Sequence, residues 1–208
     1  MNLVDPQVDR YLAELAESDD PILKEMQEIA AARDFPIVGP QVGRLLELLA
    51  RTVGARRIVE LGSGFGYSAF WFLRGMREGL LTMTEGSAEN SEQASRFLGL
   101  AGFAGRFEAK VGDGLAIASS IGGPVDILFC DIDKHDYPKA LPIARRLLRP
   151  GGLFIVDNML WQGKVLRGFA EDATTQGVLE LTALLKSSPD FATTLIPLRD
   201  GVTVSVKL

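Results

Sequence analysis

Hydrophobic residues in the first third of the chain recur at three- and four-residue intervals, the spacing typical of amphipathic helices. Pro21 and the breaks at Phe35-Pro36 and Gly39-Pro40 divide this region into three helical segments. The apolar positions of these segments are Tyr11, Leu12, Leu15 and Ala16; Ile22, Leu23, Met26 and Ile29; and Val42, Leu45, Leu46, Leu48 and Leu49. We therefore predict an N-terminal helical cap over residues 1–53.

From Arg57 onward, short apolar runs alternate with helical stretches, a pattern typical of βαβ units. The runs are nearly continuous in apolar character, as expected for parallel strands that are buried on both faces. They cover residues 58–61, 80–84, 107–111, 125–130 and 153–156. Two further runs, 192–197 and 202–206, are joined by a short hairpin-like connection. The sequence thus predicts an α/β fold with a doubly wound, mostly parallel sheet, helices on both faces and one antiparallel strand near the C-terminus.

Length and composition favour one domain. A chain of 208 residues with 47% hydrophobic content can build one sizeable core, so we expect a single domain over 1–208 with its α/β core in 56–208. The 22 Lys and Arg residues are outnumbered by 27 Asp and Glu residues, which gives a net charge of −5. No basic run is present, and a nucleic-acid partner is therefore not expected.

The sequence also predicts a cytoplasmic protein with no membrane contact. No window approaches the ~18 to 20 uninterrupted apolar residues of a membrane span, and the N-terminus lacks the basic and apolar regions of a signal peptide. The single cysteine, Cys130, cannot form an internal disulfide. It lies in an apolar run, and we interpret it as a small buried hydrophobic residue and not as a nucleophile.

A glycine-rich loop follows the first predicted strand and precedes a helical segment that begins near Tyr67. The loop reads Gly62-Ser-Gly64-Phe-Gly66, and such a strand–turn–helix unit brings bare backbone against a ligand. In the dinucleotide fingerprint the third glycine would fall one position later, where Tyr67 stands. The spacing therefore disfavours a pyrophosphate-binding loop.

Three acidic residues lie at the same predicted edge of the sheet. Glu60 near the end of the first strand suits a positively charged sulfonium ligand better than a phosphate. Glu85 ends the second strand, where a carboxylate can bind both hydroxyls of a ribose. Asp113 follows the third strand, within reach of an adenine amino group. The alternatives are solvated strand ends for the two glutamates and a turn-forming role for Asp113.

Oxygen donors follow the fourth and fifth predicted strands. Asp131 comes after the run 125–130, and Asp157 and Asn158 come after the run 153–156. If these strands are neighbours, two carboxylates and an amide converge beside the glycine loop, a donor set that suits a hard ion such as Mg²⁺. The alternative is that each residue is a strand-end cap.

Lys134 lies three residues after Asp131 and could reach the same cavity. A dication nearby would disfavour its charged form, so it is a candidate acceptor for a phenolic proton. The alternative is a surface lysine paired with Asp131 or Asp136. His135, the only histidine, is interpreted as a helix-start residue and not as a ligand.

These residues resemble the cation-dependent O-methyltransferase family that includes the catechol and caffeoyl-CoA O-methyltransferases. The resemblance covers nearly the whole chain, from Pro36 to the end. Its most specific motifs are Val59-Glu-Leu-Gly-Ser-Gly-Phe-Gly-Tyr-Ser68, Asp131-Ile-Asp-Lys-His-Asp-Tyr137, Leu148-Arg-Pro-Gly-Gly152 and Val156-Asp-Asn-Met-Leu-Trp-Gln-Gly163. It implies the class I methyltransferase fold, a Rossmann-like sheet of seven strands with one inserted antiparallel.

The resemblance also implies a role for each matching residue. Lys134 would be the catalytic base, and Mg²⁺ would be held by Asp131, Asp157 and Asn158. The residues implied to bind S-adenosylmethionine are Glu60, Gly62, Gly64, Ser68, Glu85, Asp113 and Asp131, with backbone near Val38.

Two positions depart from the family pattern. Ser87 stands where the family often has an acidic residue, which affects the expected ribose contacts. Thr203, in Asp200-Gly-Val-Thr203, is similar to the caffeoyl-CoA branch, whereas catechol O-methyltransferase has a glutamate there that contacts the second hydroxyl. The N-terminal region is shorter than in plant members, so a CoA-ester pocket is not assumed.

We therefore expect methyl transfer from S-adenosylmethionine to one hydroxyl of a small catechol-type or related aromatic acceptor. Met159 and Trp161 are candidates for an apolar wall beside the acceptor ring or for plain packing. A homodimer is expected from the apolar N-terminal helices. The alternatives are an NAD-dependent oxidoreductase on a similar sheet and a non-catalytic nucleoside-binding protein.

Overall fold

A seven-stranded sheet forms the centre of the molecule in the computed structural model, which describes residues 5–167 and 172–208. The strand order is β3-β2-β1-β4-β5-β7-β6. The strands are β1 (Arg57–Leu61), β2 (Leu80–Glu85), β3 (Phe107–Val111), β4 (Val125–Cys130), β5 (Leu148–Val156), β6 (Phe191–Ile196) and β7 (Val202–Lys207). Strand β7 runs antiparallel to both β5 and β6, and β1 to β5 pair in parallel. The predicted fold class is confirmed.

Eight α-helices surround the sheet in the described residues. They are α1 (Pro6–Ala16), α2 (Pro21–Ala32), α3 (Gly39–Thr52), α4 (Tyr67–Gly75), α5 (Ala88–Leu100), α6 (Gly114–Ser120), α7 (Tyr137–Leu147) and α8 (Ala173–Lys186). Prolines begin α1 and α2, and Asp5 and Asp20 cap them by accepting hydrogen bonds from backbone N–H groups of the first turn. The three expected N-terminal helices are therefore present. None of the described helices has the length and apolar character needed to cross a membrane.

Alternate strand residues face two apolar clusters on opposite sides of the sheet. Ile58 packs with α2 to α5, whereas Val59 packs with α6 to α8. In β4, Phe129 faces the first cluster and Cys130 the second. This arrangement explains the continuous apolar runs, because both faces of the central strands are covered. Burial raises the pKa of Cys130 to about 12, in agreement with its interpretation as a buried hydrophobic residue.

Strand β5 begins earlier than the sequence pattern predicted. The apolar run starts at Leu153, but Leu148 already pairs with Val125 of β4. The sequence pattern does not indicate a strand at Leu148, because the Arg149-Pro150-Gly-Gly152 segment that follows has no alternating or continuous apolar residues. The register places the C-terminal ends of β1, β4 and β5 side by side. The loops that follow these strands therefore meet at one edge of the sheet.

Candidate active site

The glycine-rich loop lies directly against the end of β4. Gly62 and Gly64 adopt φ values of 79° and 51°, in the left-handed region that favours glycine. A Cβ atom on Gly62 would overlap the carbonyl oxygen of Asp131, and one on Gly64 would lie 3.0 Å from the ring of Phe35. The loop can therefore pack against Asp131 only without a side chain at Gly62, and a side chain at Gly64 would crowd Phe35.

Glu60 lies behind the loop and is fully buried. Its Oε2 accepts a hydrogen bond of 2.8 Å from the Ser63 hydroxyl, and the Ser68 hydroxyl also interacts with the carboxylate. Its Oε1 is buried without a hydrogen-bond partner in the described structure. Burial raises the pKa of Glu60 to about 7, despite the opposing hydrogen bonds from the two serines. A cation brought to this side of the loop would favour the ionised carboxylate.

Glu85 and Asp113 extend the same edge, and both make local hydrogen bonds. The two carboxylate oxygens of Glu85 accept from the backbone N–H groups of Gly64 and Ser87, each at 2.9 Å. Asp113 caps α6 by accepting from the N–H of Ala116 at 2.8 Å. Glu85 thus holds the second half of the glycine loop, and Asp113 has a local structural role as the N-cap of α6. Contacts of these residues with ribose and adenine remain predictions.

Asp131, Asp157, Asn158 and Lys134 come together where β4 and β5 end, and all four line one cavity. The Lys134 Nζ donates to Asp131 Oδ1 at 2.8 Å and to the carbonyl oxygen of Ile132 at 3.3 Å. Asp157 is only 4% exposed. Burial and then the charge of Asp131 raise its pKa, although Lys134 and Arg199 oppose the shift. Two carboxylates therefore face each other with incomplete charge compensation.

Lys134 is held from several directions and is largely buried, with 13% of its side chain exposed. Its Nζ lies 5.3 Å from the ring centroid of Tyr137 and 5.6 Å from that of Trp161. Behind it, Gly177 of α8 packs so closely that an added Cβ would overlap the Lys134 carbonyl oxygen. The expected pairing with Asp131 is present, but Lys134 is not a surface lysine. His135, next in the chain, is half-exposed and faces Asp136.

The oxygen donors at this edge fit a hard divalent ion that is only partly enclosed by protein. In the described ranges, no cluster of three or more His, Cys, Asp or Glu side chains could hold a metal. Asp131 and Asp157 supply two carboxylates and Asn158 supplies an amide oxygen. This donor set suits Mg²⁺, which normally keeps several water or substrate ligands. Asp157 is buried, and burial together with the charge of Asp131 raises its pKa, so a cation bound here would favour its ionised carboxylate.

Two cavities meet at this group of residues. The first, of about 490 Å³, runs along the glycine loop. The second, of about 760 Å³, lies between α1, α2 and the turn before β7. Both are lined by Asp157, Asn158 and the segment 35–38. The arrangement provides two adjoining compartments, separated by the segment 35–38, with the carboxylate and amide donors at their junction.

Comparison with known proteins identifies the family. The profile of a family described as O-methyltransferase matches residues 13–208 of the chain. The chain belongs to the O-methyltransferase family. The predicted resemblance and the prediction of a methyl-transferring enzyme are confirmed. The match disfavours both the NAD-dependent oxidoreductase and the non-catalytic nucleoside-binding protein.

Several relatives of this methyltransferase cover its whole fold. A catechol O-methyltransferase of Niastella koreensis is 30% identical over 217 residues, covering 99% of this chain and 98% of its own. The catechol O-methyltransferase of Mycobacterium tuberculosis is 32% identical, covering 92% and 88%. The crystal structure of the O-methyltransferase TomG from Streptomyces achromogenes, in complex with S-adenosylmethionine, superimposes with a TM-score of 0.88 at 33% identity, covering 97% and 96%. A Bacillus cereus O-methyltransferase in complex with S-adenosylhomocysteine gives 0.88 at 29%, covering 97% of each chain.

Sequence reasoning did not identify all the residues that line the methyltransferase cavities. The segment 35–38 was recognised only as a helix break and, through Val38, as a backbone contact. Gln162, Arg199 and Asp200 line the second cavity but follow no periodic pattern. Arg199 and Asp200 lie in the turn that precedes β7, and Gln162 lies in the motif that follows β5. Neither Met159 nor Trp161 lines either cavity: Met159 is buried in the core and Trp161 packs beside it.

The raised pKa of Glu60 predicts a pH-dependent stability for the ligand-free methyltransferase. Glu60 holds its proton up to about pH 7 in the folded state but releases it near 4.5 in the unfolded chain. The folded state therefore binds more protons in this window, and this contribution to stability is lost as pH rises through about 7. Glu60→Gln should not show this pH-dependent loss, because glutamine does not titrate. We therefore expect the free energy of unfolding of the variant, relative to that of the wild type, to rise by on the order of 2 kcal/mol between about pH 5 and 8.

Urea unfolding of both proteins at the two pH values measures this difference. Glu28→Gln, at an exposed position on α2, is the control and should change stability little at either pH. A Glu60→Gln effect of equal size at both pH values would show that the carboxyl does not titrate in this window.

Proposed function

We propose that this O-methyltransferase transfers the methyl group of S-adenosylmethionine to a hydroxyl of a catechol-type or related aromatic acceptor, assisted by a divalent cation. The methyl donor would occupy the first cavity and the acceptor the second. The observation that carries the proposal is the shared lining of the two cavities by Asp157, Asn158 and the segment 35–38. A donor and an acceptor bound in this way would meet beside the oxygen donors and Lys134.

On the donor side, the bare backbone of Gly62 and Gly64 admits the ligand close to the sheet. The buried carboxylate of Glu60 balances the positive charge of the donor, and its unpartnered Oε1 is an available acceptor. Glu85 fixes the loop through the Gly64 N–H and is the proposed ribose ligand. The remaining proposed contacts come from residues that line the first cavity: Val38, Ser68, Asp113 and Asp131.

Asp131, Asp157 and Asn158 would hold the cation through their side-chain oxygens. When bound, S-adenosylmethionine supplies an electrophilic methyl group, and Mg²⁺ supplies positive charge that favours ionisation of the acceptor hydroxyl. The neutral amine form of Lys134 would accept the hydroxyl proton at Nζ. The contribution of these residues is to orient the two reactants and to move one proton.

Catechol-type acceptors are supported by the names of two relatives, both catechol O-methyltransferases. Thr203 is the position where a catechol enzyme would carry a glutamate, and here it is 2% exposed and pairs with Val156 of β5. The acceptor's second hydroxyl would therefore have to be bound by other groups, such as Asn158 or Asp200 at the second cavity. This favours an enzyme of the bacterial or caffeoyl-CoA-like type over a strict catechol enzyme.

The exposed apolar face of α1 supports the expected homodimer. None of the residues of α1 is buried, and Tyr11 and Leu15 are 60% and 63% exposed. A second copy packed on this face would remove these side chains from water. Light scattering of the purified protein measures the mass directly.

Calorimetry and product analysis test the proposed function. S-adenosylmethionine should bind with one site per chain, whereas NAD should give no heat of binding. Mass spectrometry should then detect methyl transfer to members of a panel of catechols, flavonoids and hydroxycinnamoyl esters. Binding of NAD in preference to S-adenosylmethionine, or a panel without any methylated product, would contradict the proposal.

A further inference from the structure

Arg199, in the turn that connects β6 to β7, has an unusual backbone conformation. Its φ of 51° lies in the left-handed region, where glycine is the favoured residue and a larger side chain costs on the order of 1 kcal/mol. The turn nevertheless carries the largest basic side chain at this position. A backbone conformation of this cost persists only where other contacts of the residue hold it.

The Arg199 guanidinium is fixed against the wall that separates the two cavities. Its Nη1 donates a hydrogen bond of 3.0 Å to the carbonyl oxygen of Ile37. Gly39 approaches the same guanidinium so closely that a Cβ atom there would overlap it. The exposed side chain therefore has one hydrogen bond at the edge of the second cavity, and most of its N–H donors remain without a protein partner in the described ranges.

Arg199 is also the only cationic side chain among the described residues that line the second cavity. The described residues place no carboxylate within ion-pair distance of it. Of the cavity's carboxylates, Asp9 accepts from Gln41 at 3.2 Å and Asp200 accepts from the N–H of Gln162 at 2.6 Å. Asp157 belongs to the proposed cation site, and Asp34 is exposed at the end of α2. The guanidinium is therefore the one cationic group that the described residues of this cavity offer to an acceptor.

We propose that Arg199 binds a carboxylate on the acceptor, so that the preferred acceptors are dihydroxylated aromatic acids. A guanidinium binds a carboxylate through two parallel N–H donors, and its planar geometry makes the contact directional. The acceptor would place its hydroxyl pair at Asp157 and Asn158 and its acid group at Arg199. This inference rests on the proposed function, because it assigns the acceptor to the second cavity.

Three acceptors of nearly equal size but different charge test the inference: 3,4-dihydroxybenzoate, 3,4-dihydroxybenzamide and 3,4-dihydroxybenzylamine. We expect kcat/KM of the wild-type enzyme for the acid to exceed that for the amide by on the order of tenfold, mainly through KM. In Arg199→Gly, the ratio of acid to amide should fall to about one. Glycine suits the left-handed backbone at this turn, so the variant should keep its fold. Arg199→Lys keeps the positive charge but lacks the two parallel N–H donors of the guanidinium, so it should give an intermediate ratio of acid to amide.

Arg77→Gly is the matched control, because Arg77 is an exposed loop arginine that lines neither cavity. Its ratio of acid to amide should equal that of the wild type. A ratio that Arg199→Gly leaves unchanged would overturn the inference, as would a preference for the amine, which would assign selectivity to the carboxylates. Methyl transfer to none of the three acceptors would contradict the proposed function itself.

Discussion

Replacing Lys134 with methionine is expected to reduce kcat by about 10²- to 10⁴-fold, the usual range for loss of a general base. Methionine has similar length but no proton-accepting nitrogen. Because Lys134 lines the first cavity together with Asp157 and Asn158 and is proposed to act on the hydroxyl proton alone, the loss should appear in kcat, with little change in S-adenosylmethionine binding. Initial rates and calorimetry on the same preparation measure the two quantities.

Lys134→Arg separates proton transfer from charge pairing. Lys134 pairs with Asp131 at 2.8 Å, and arginine could keep this ion pair while its guanidinium stays protonated at any accessible pH. If Lys134 is the base, the arginine variant should be as slow as the methionine variant. An arginine variant with near wild-type kcat would assign Lys134 to charge pairing with Asp131 and contradict its role as the base.

Asp157→Ala is expected to lower kcat/KM by on the order of 10³-fold, because loss of the cation would remove several kcal/mol of stabilisation from the transition state. Asp157 is the most buried of the proposed metal ligands, at 4% exposure. Asp157→Asn retains the volume and one oxygen donor, so raised Mg²⁺ should partly restore its activity. Rates titrated with Mg²⁺ measure both effects.

The control for this prediction is Asp19→Ala, which removes a fully exposed carboxylate far from the two cavities. Unfolding curves recorded in parallel show whether each variant is folded. Asp157 carries a buried charge with raised pKa, so its removal should not cause a large loss of stability at pH 8. Wild-type kinetics in a folded Asp157→Ala protein would remove Asp157 from the proposed cation site.

The sequence predicted which site residues lie at the ends of strands. Asp131 and Asp157 each follow a buried apolar run, and neighbouring parallel strands bring such positions to one edge. The spacing of Gly62, Gly64 and Gly66 predicted that bare backbone approaches a ligand, and this contact stays a prediction. The structure shows that Gly62 packs against the carbonyl of Asp131. These features are local patterns combined with a general rule of sheet topology.

Features that depend on contacts between distant segments could not be predicted in this way. The segment 35–38 becomes a wall between cavities only when α2 and α3 pack on the sheet. Arg199 reaches the Ile37 carbonyl across more than 160 positions of sequence, and no local pattern encodes that contact. The early start of β5 was missed for a similar reason, because Leu148 joins the sheet through its pairing with Val125.

The central claim is cation-assisted methyl transfer from S-adenosylmethionine, and chelation tests it most directly. Methyl transfer to a catechol should be measured on the wild-type protein before EDTA, after EDTA, and after the addition of excess Mg²⁺. The account predicts that turnover falls to near background in EDTA and returns with Mg²⁺, while S-adenosylmethionine still binds in the presence of the chelator. Undiminished turnover in EDTA would contradict it.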